Sequence, residues 1–203
     1  MTSPNGYTTL PPGKLANAVT WLELTDFSKP SKPTPAGFSS RRLGPDDAAL
    51  YHALYRAVGT PWLWAGMLGK SEADLANYLA RDSGQTLVAC DNGKPSGVLD
   101  LETTYDNNTL VSVEVVNFGF IPSAMGKGAG AWLMAQAAHT AAAMGANRLW
   151  LHTCNFDHPG ALAFYQRQGF KVYAQGFEIM DDPRHLGLLP DDAAPHVPRC
   201  RQQ

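Results

Sequence analysis

The run Met125-Gly-Lys-Gly-Ala-Gly130 feeds directly into Ala131-Trp-Leu-Met-Ala-Gln-Ala-Ala-His-Thr-Ala-Ala-Ala-Met144, an alanine-rich stretch that Gly145 closes. A glycine-rich turn at the start of a helix presents amide N–H groups without intrahelical acceptors, at the positive end of the helix dipole. The chemistry suited to such a turn is phosphate binding. Glycines at 126, 128 and 130 let the backbone approach an anion where side chains would block it. The turn is not a Walker loop, because Gly-x-x-x-x-Gly-Lys-[Ser/Thr] is absent, and a Rossmann fingerprint would need a further glycine. A turn that merely packs is the plainer alternative. Titratable groups flank the run: Glu114 before it, and His152, His158 and Tyr165 after it.

These residues need elements to position them. Val111-Ser-Val-Glu-Val-Val-Asn-Phe-Gly-Phe120 reads as a strand that Pro122 ends. Arg148-Leu-Trp-Leu-His-Thr-Cys154 reads as the next strand, reached through the alanine-rich helix. Strand, helix and strand make a βαβ crossover, so the two strands are expected to be parallel neighbours. His158-Pro159 is expected to start a short helix with proline at its first position, capped by Gly169. Phe170 to Ile179 reads as a last strand.

Upstream, residues 1 to about 18 are rich in Thr, Pro, Gly and Asn and read as a loose leader. Ala18 to Thr25 alternates well enough for a short strand. Lys29-Pro-Ser-Lys-Pro-Thr-Pro35 reads as an extended surface connector, because its prolines remove donors and fix φ. Phe38 to Leu43 is strand-like. A helix follows Asp46-Asp47 and stops at Gly59, and Ser71-Glu-Ala-Asp74 looks like a capping box for a second helix. Strands at Gln85–Asp91 and about Gly97–Tyr105 flank the hairpin signal Asn92-Gly93, and Asp106-Asn-Asn-Thr109 turns the chain into the Val111 strand. Residues 180–203 are expected to be a tail on the surface. The pattern is α+β with a mixed sheet: a leader at 1–37, one domain at 38–179, then the tail.

The 203 residues suffice for one domain with a proper core. With 44% hydrophobic and 17% charged residues the composition is globular, and a formal net charge of −2 argues against a general nucleic-acid binder. Cys90, Cys154 and Cys200 have no paired or zinc-like spacing and suit a reducing compartment. No apolar run reaches the ~18 residues of a membrane helix, and no basic region with an apolar core opens the chain. A soluble, cytoplasmic protein without a metal site or membrane contact is expected.

The central stretch resembles the GNAT superfamily of N-acetyltransferases. Their signature [Gln/Arg]-x-x-Gly-x-[Gly/Ala] aligns with Met125-Gly-Lys-Gly-Ala-Gly130, and Pro122 stands where the family often has proline. A second segment, Asn-x-x-Ala-x-x-x-Tyr-x-x-x-Gly-Phe, aligns with His158 to Phe170 and matches at Ala161, Tyr165, Gly169 and Phe170. The resemblance implies a mixed, mostly antiparallel twisted sheet with flanking helices. It also implies acetyl-CoA as cofactor. Its pyrophosphate would lie on Gly126, Lys127, Gly128, Ala129 and Gly130, and its pantetheine arm on backbone groups at Phe120 and Ile121. Met125 and His158 depart from the pattern. Met125 offers no side-chain donor to the pyrophosphate, and His158 replaces the usual asparagine beside the cofactor arm.

The resemblance further implies transfer of acetyl to a primary amine of a small molecule or peptide, by direct attack in a ternary complex. Glu114 is the candidate base, eleven residues before Met125 as in histone-type members. Tyr165 is the candidate acid: a phenol with pKa ~10 keeps its proton at neutral pH and so has one to give to the thiolate as it departs. The plainer readings are a solvent-facing glutamate and a core tyrosine. Tyr55, Trp62, Trp64 and His152 are candidates for the acceptor site, with the first two helices and a final hairpin forming its walls. Aromatics there would suit an apolar or cationic acceptor. A homodimer is compatible with the resemblance. The rival function is a non-catalytic acyl-CoA-binding regulatory module.

Overall fold

The computed structural model describes residues 6–7, 9–29, 31–107 and 109–199. Residues 1–5 and Thr8 of the expected leader, Pro30 of the connector, Asn108 of the expected turn and residues 200–203, with Cys200, lie outside them. Seven strands form one sheet: β1 (Lys14–Leu24), β2 (Phe38–Arg42), β3 (Gly84–Asp91), β4 (Lys94–Asp106), β5 (Thr109–Phe120), β6 (Arg148–Cys154) and β7 (Lys171–Asp181). Their order is β2-β3-β4-β5-β6-β1-β7. Every neighbouring pair is antiparallel except β5 with β6. This is the mixed, mostly antiparallel α+β sheet with a central βαβ crossover that the sequence implies.

Four helices cover the sheet: α1 (Ala48–Gly59), α2 (Glu72–Ala80), α3 (Ala129–Ala143) and α4 (Ala161–Gln168). Alternation along the strands sends one set of side chains to each face. Leu22, Leu99, Leu101, Val113, Val115, Leu149 and Leu151 pack with Leu133, Met134 and Ala137 of α3. Val88 and Val98 pack on the opposite face with Tyr51, Leu54 and Val58 of α1 and Leu75 and Leu79 of α2. The expected capping box forms at α2, where Ser71 Oγ accepts from Asp74 N–H and Asp74 Oδ2 accepts from Ser71 N–H, both at 3.2 Å. Asn92 and Gly93 turn the β3–β4 hairpin with φ of +49° and +77°. No helix among the described residues is long and apolar enough to cross a membrane.

The two ends of the chain differ from expectation. β1 is an eleven-residue interior strand, not a short strand in a loose leader. It inserts between β6 and β7, so no hairpin joins those two strands. The reason lies in Leu15, Val19, Leu22 and Leu24, all buried, which outweigh the loop-like composition before them. The described residues after β7, 182–199, are also not a surface tail: Leu189, Ala193, Ala194 and Val197 are buried in the α1–α2 core. Their anchor is Arg184, 4% exposed, whose guanidinium binds Asp182 and donates to the carbonyls of Ala193 and Val197 at 3.1 and 3.0 Å. α4 begins at Ala161 rather than at Pro159, because Gly160 N–H turns back to His158 Nδ1 and Ala161 N–H to His158 C=O.

Breaking one side of a buried ion pair strands the other charge. Arg184→Met is therefore expected to cost about 3–5 kcal/mol of unfolding free energy in urea titrations. Asp182→Leu combined with Arg184→Met should recover part of that loss, and a strictly additive double variant would show that the two groups do not act as a pair.

Candidate active site

The site begins where two parallel strands part. β5 and β6 are paired only at Ser112–Arg148, Val113–Leu149 and Glu114–Trp150. β5 stays paired to β4 as far as Phe120, with a register shift that leaves Val116 as an extra residue between Val115 and Asn117. A bulge of this kind bends its strand and increases local twist. Beyond Glu114 the backbone of β5 thus faces an open crevice. Ile121 N–H donates to Ser96 C=O at 2.8 Å, so its peptide turns toward β4. Alternation then turns the N–H groups of Phe118 and Phe120 toward the crevice. Phe120 keeps the place expected for a backbone contact. Ile121 does not: its N–H is taken by Ser96, and its carbonyl accepts from Ala124 N–H at 3.0 Å.

At the end of β5, Pro122–Ala124 makes one tight turn and the glycine-rich run follows. Gly126 and Gly128 have φ of +76° and +83°, and a side chain at Gly126 would meet nothing within 4 Å, so the turn is open on that side. Both conformations are left-handed and favour glycine. Gly128 caps α3, and its carbonyl accepts from Trp132 N–H. The amides at the start of the helix point to the crevice mouth without intrahelical partners. Ala129 does not line the crevice and is buried in the core. Lys127 does not line the crevice: its ammonium binds Asp91 Oδ2 at 2.7 Å.

The crevice opens into one cleft of about 880 Å³. It brings together Phe120, Met125, Gly126, Gly128, Gly130, Tyr55, Trp62, Trp64, His152, His158 and Tyr165 of the expected site. Glu114 is not part of the lining. It lies behind His152, whose Nδ1 is 4.0 Å from Glu114 Oε1. Burial first, and then the nearby Glu102 carboxylate, push the Glu114 carboxyl above its ordinary range. Tyr165 is buried among the rings of Phe118, Phe164 and Phe170, and its hydroxyl has no hydrogen-bond partner among the described residues. Burial, and second the Asp157 carboxylate, push its phenol well up, which holds the proton on. His158 lines the cleft with its ring edge-on to Trp62 at 5.4 Å.

Several lining residues had no place in the sequence reading of the site. Asn17 and Glu178 enter from β1 and β7, and Phe156 and Asp157 from the loop after β6. Phe118 stacks on Phe164 at 5.7 Å. Asp157 has a local signal: three residues after Cys154, its Oδ2 accepts from Cys154 N–H at 2.9 Å and Thr153 Oγ1 at 2.8 Å. Cys154 also lines the cleft, where the sequence placed no cysteine. Its thiol is pushed up to about 11 by burial and by Asp157. At neutral pH it is protonated and a poor nucleophile.

Behind the cleft, fully buried Asp100 accepts from Tyr51 Oη at 2.6 Å and from Asn117 Nδ2 at 2.7 Å. Asn117 lines the cleft, so the carboxyl fixes the orientation of an amide in the site wall. Burial raises the Asp100 carboxyl above its ordinary range, against the hydrogen bonds it accepts.

A family model described as Acetyltransferase (GNAT) family matches residues 51–170. No curated protein matches the sequence significantly. Similar solved structures include a conserved protein of unknown function from Staphylococcus epidermidis, at 17% identity and a TM-score of 0.57, covering 84% of this chain and 63% of that one. A GCN5-related N-acetyltransferase from Sphaerobacter thermophilus is 17% identical with a TM-score of 0.61, covering 82% of this chain and 52% of its own. The aminoglycoside acetyltransferase HMB0005, from an uncultured soil metagenomic sample, is 19% identical with a TM-score of 0.58, covering 70% of this chain and 96% of its own. At these identities the likeness is one of fold. The chain spans 63% and 52% of the length of the first two structures it matches.

The raised Asp100 carboxyl sets a pH dependence. Its contribution to stability is fully present below the unfolded carboxyl value near ~3.9 and is lost as pH rises through the higher folded value. Asp100→Asn removes that titration, so its urea-unfolding free energy should vary less from pH 4 upward than that of the parent chain. Equal pH slopes in the two proteins would show that Asp100 titrates alike folded and unfolded.

Proposed function

This chain belongs to the acetyltransferase (GNAT) family, and from that premise we propose that it is an acetyl-CoA-dependent N-acetyltransferase acting on a small-molecule amine. The observation that carries the reading is the crevice between β5 and β6, which runs from unpaired strand backbone to the open amides at the start of α3. A backbone edge beside an anion-binding turn matches a ligand with an amide-bearing arm and a pyrophosphate. Acetyl-CoA, when bound, supplies the acetyl group already activated as a thioester.

Each protein group then has a defined task. The amides around Gly126, Gly128 and Gly130 hold the pyrophosphate, and because Met125 has no donor the backbone carries that contact. Phe118 and Phe120 offer peptide groups to the pantetheine arm. Tyr165, kept protonated by burial, gives its hydroxyl proton to the departing sulfur as negative charge builds there, and the phenolate regains a proton from solvent when the products leave. The attacking amine is accepted neutral. His152, which lines the cleft, takes its proton, and Glu114 behind the ring orients it and stabilises the resulting cation. Cys154 stays protonated, which supports direct attack over an acyl-enzyme. The similarity to aminoglycoside acetyltransferases supports a small-molecule acceptor over a peptide.

Acetyl-CoA at ~100 times its dissociation constant is expected to add ~2.7 kcal/mol of stability to the ligand-stripped protein, visible as a rise in Tm. No shift with acetyl-CoA or CoA would defeat the cofactor assignment. Free-thiol release with an amine panel then tests turnover. Tyr165→Phe should lower kcat on the order of 10²-fold with nearly unchanged acetyl-CoA binding. Glu114→Gln should move the acidic limb of the pH–rate profile, because the rate is lost as pH falls through the base. If turnover survives Tyr165→Phe, or if that limb stays fixed, the corresponding role is wrong.

A further inference from the structure

Glu114 and Asn117 stand three residues apart on β5, and in a regular strand they would point to opposite faces of the sheet. The extra residue Val116 removes that difference. Glu114 pairs with Glu102 and Asn117 with Asp100, two positions along β4, so both side chains leave the same face. On the other bank Glu114 pairs with Trp150, and His152 stands two positions further along β6. Asn117 and His152 therefore flank the parted strands at one level, and both line the cleft.

Asn117 is held there by a group that is itself sealed from the cleft. Fully buried Asp100 accepts from Asn117 Nδ2 at 2.7 Å on Oδ2, the oxygen that also accepts from Tyr51 Oη at 2.6 Å. An amide whose nitrogen is fixed in this way has its oxygen fixed too. Asn117 Oδ1 accepts from no group among the described residues, and it is not sealed off as Asp100 Oδ1 is, so a ligand reaches it from the cleft. An amide oxygen only accepts, so it does not answer a thioester carbonyl, which also only accepts. The group that answers it beside His152 is an N–H, and a neutral primary amine brings two of them with one lone pair.

We propose that Asn117 Oδ1 accepts one N–H of the attacking amine and aims its lone pair at the thioester carbon, with Asp100 as the positioning residue behind it. As the C–N bond forms and the C–S bond breaks, His152 takes the other N–H proton and Tyr165 protonates the departing sulfur. The N–H on Asn117 is the one that the product amide keeps. A secondary amine has a single N–H, which His152 must take, so it leaves Asn117 without a donor. Asn117 thereby makes the site selective for primary amines. This role deepens the acetyltransferase reading and rests on it.

The test uses n-hexylamine, phenethylamine and glucosamine, each against its N-methyl form, with turnover read by thiol release and acetyl-CoA binding by calorimetry. The parent chain is expected to favour the primary amine roughly tenfold in kcat/KM. Asn117→Ala should lower kcat/KM for the primary amine about tenfold, leave the secondary amine within about twofold and keep the acetyl-CoA Kd. Asp100→Leu should erase the preference while leaving Asn117 in place. Asp100→Asn, whose amide oxygen can take the Oδ2 position, should recover most of it. Asn117→Ala combined with Asp100→Leu should lose no more turnover than Asn117→Ala alone. Should Asp100→Leu fail to fold, judged by Tm, Asn117→Ala and Asp100→Asn carry the test. Losses that multiply, or a preference that survives Asn117→Ala, overturn the proposal and leave the acetyltransferase reading standing. An acetyl-CoA Kd that rises with the loss of turnover does the same, and assigns Oδ1 to the cofactor arm. Thiol release with none of the three amines overturns that reading and this role together.

Discussion

Everything in this structure follows from a parallel strand pair that stops pairing early. β5 and β6 share three residue pairs and then part. A parallel ladder that ends inside a sheet leaves N–H and C=O groups facing each other across a gap, and they need a partner. The bulge at Val116 bends β5 while β4 holds its other edge, so the gap stays open. The same strand continues through Pro122 into the turn that starts α3. One backbone path therefore carries both the unpaired strand edge and the open amides of the glycine-rich turn. Their separation is fixed by the few residues between Phe120 and Gly128, without help from side chains.

That backbone origin explains what could be read in the sequence. Glycines at 126 and 128, the crossover length and the β6 residues Arg148–Cys154 were legible because each reports a local backbone requirement. Tyr165 was legible through its spacing from Gly169. Asn17 and Glu178 were not, because their meeting depends on β1 crossing from the far end of the sequence to lie between β6 and β7. Composition near residue 14 favours a loop, and only long-range pairing overrides it. The places of Ile121 and Lys127 were hidden for a related reason. Their partners, Ser96 and Asp91, lie on β4 or at the end of β3, and local spacing does not reveal them. Glu114 was expected at the site from its position, and the structure sets it outside the lining, 4.0 Å from His152 of the neighbouring strand.

The two chain ends serve the same region. β1 supplies Asn17, and the segment after β7 sets His196 against Trp62 and hydrogen-bonds it to the Phe156 carbonyl at 3.0 Å. Buried Arg184 ties that segment to the core. The β1–β7 end of the cleft is therefore assembled from segments distant in sequence, while the glycine-turn end is built by one local stretch. Such a division leaves the β1–β7 wall free to vary while the crevice keeps its geometry.

Burial acts in one direction on the acids in and behind the cleft. It raises Tyr165, Cys154 and Glu114 together, with carboxylates at Asp157 and Glu102 adding to the effect. An environment that disfavours negative charge by desolvation also disfavours a cation, so an ammonium moved there gives up its proton more readily. That is what a nucleophilic amine requires.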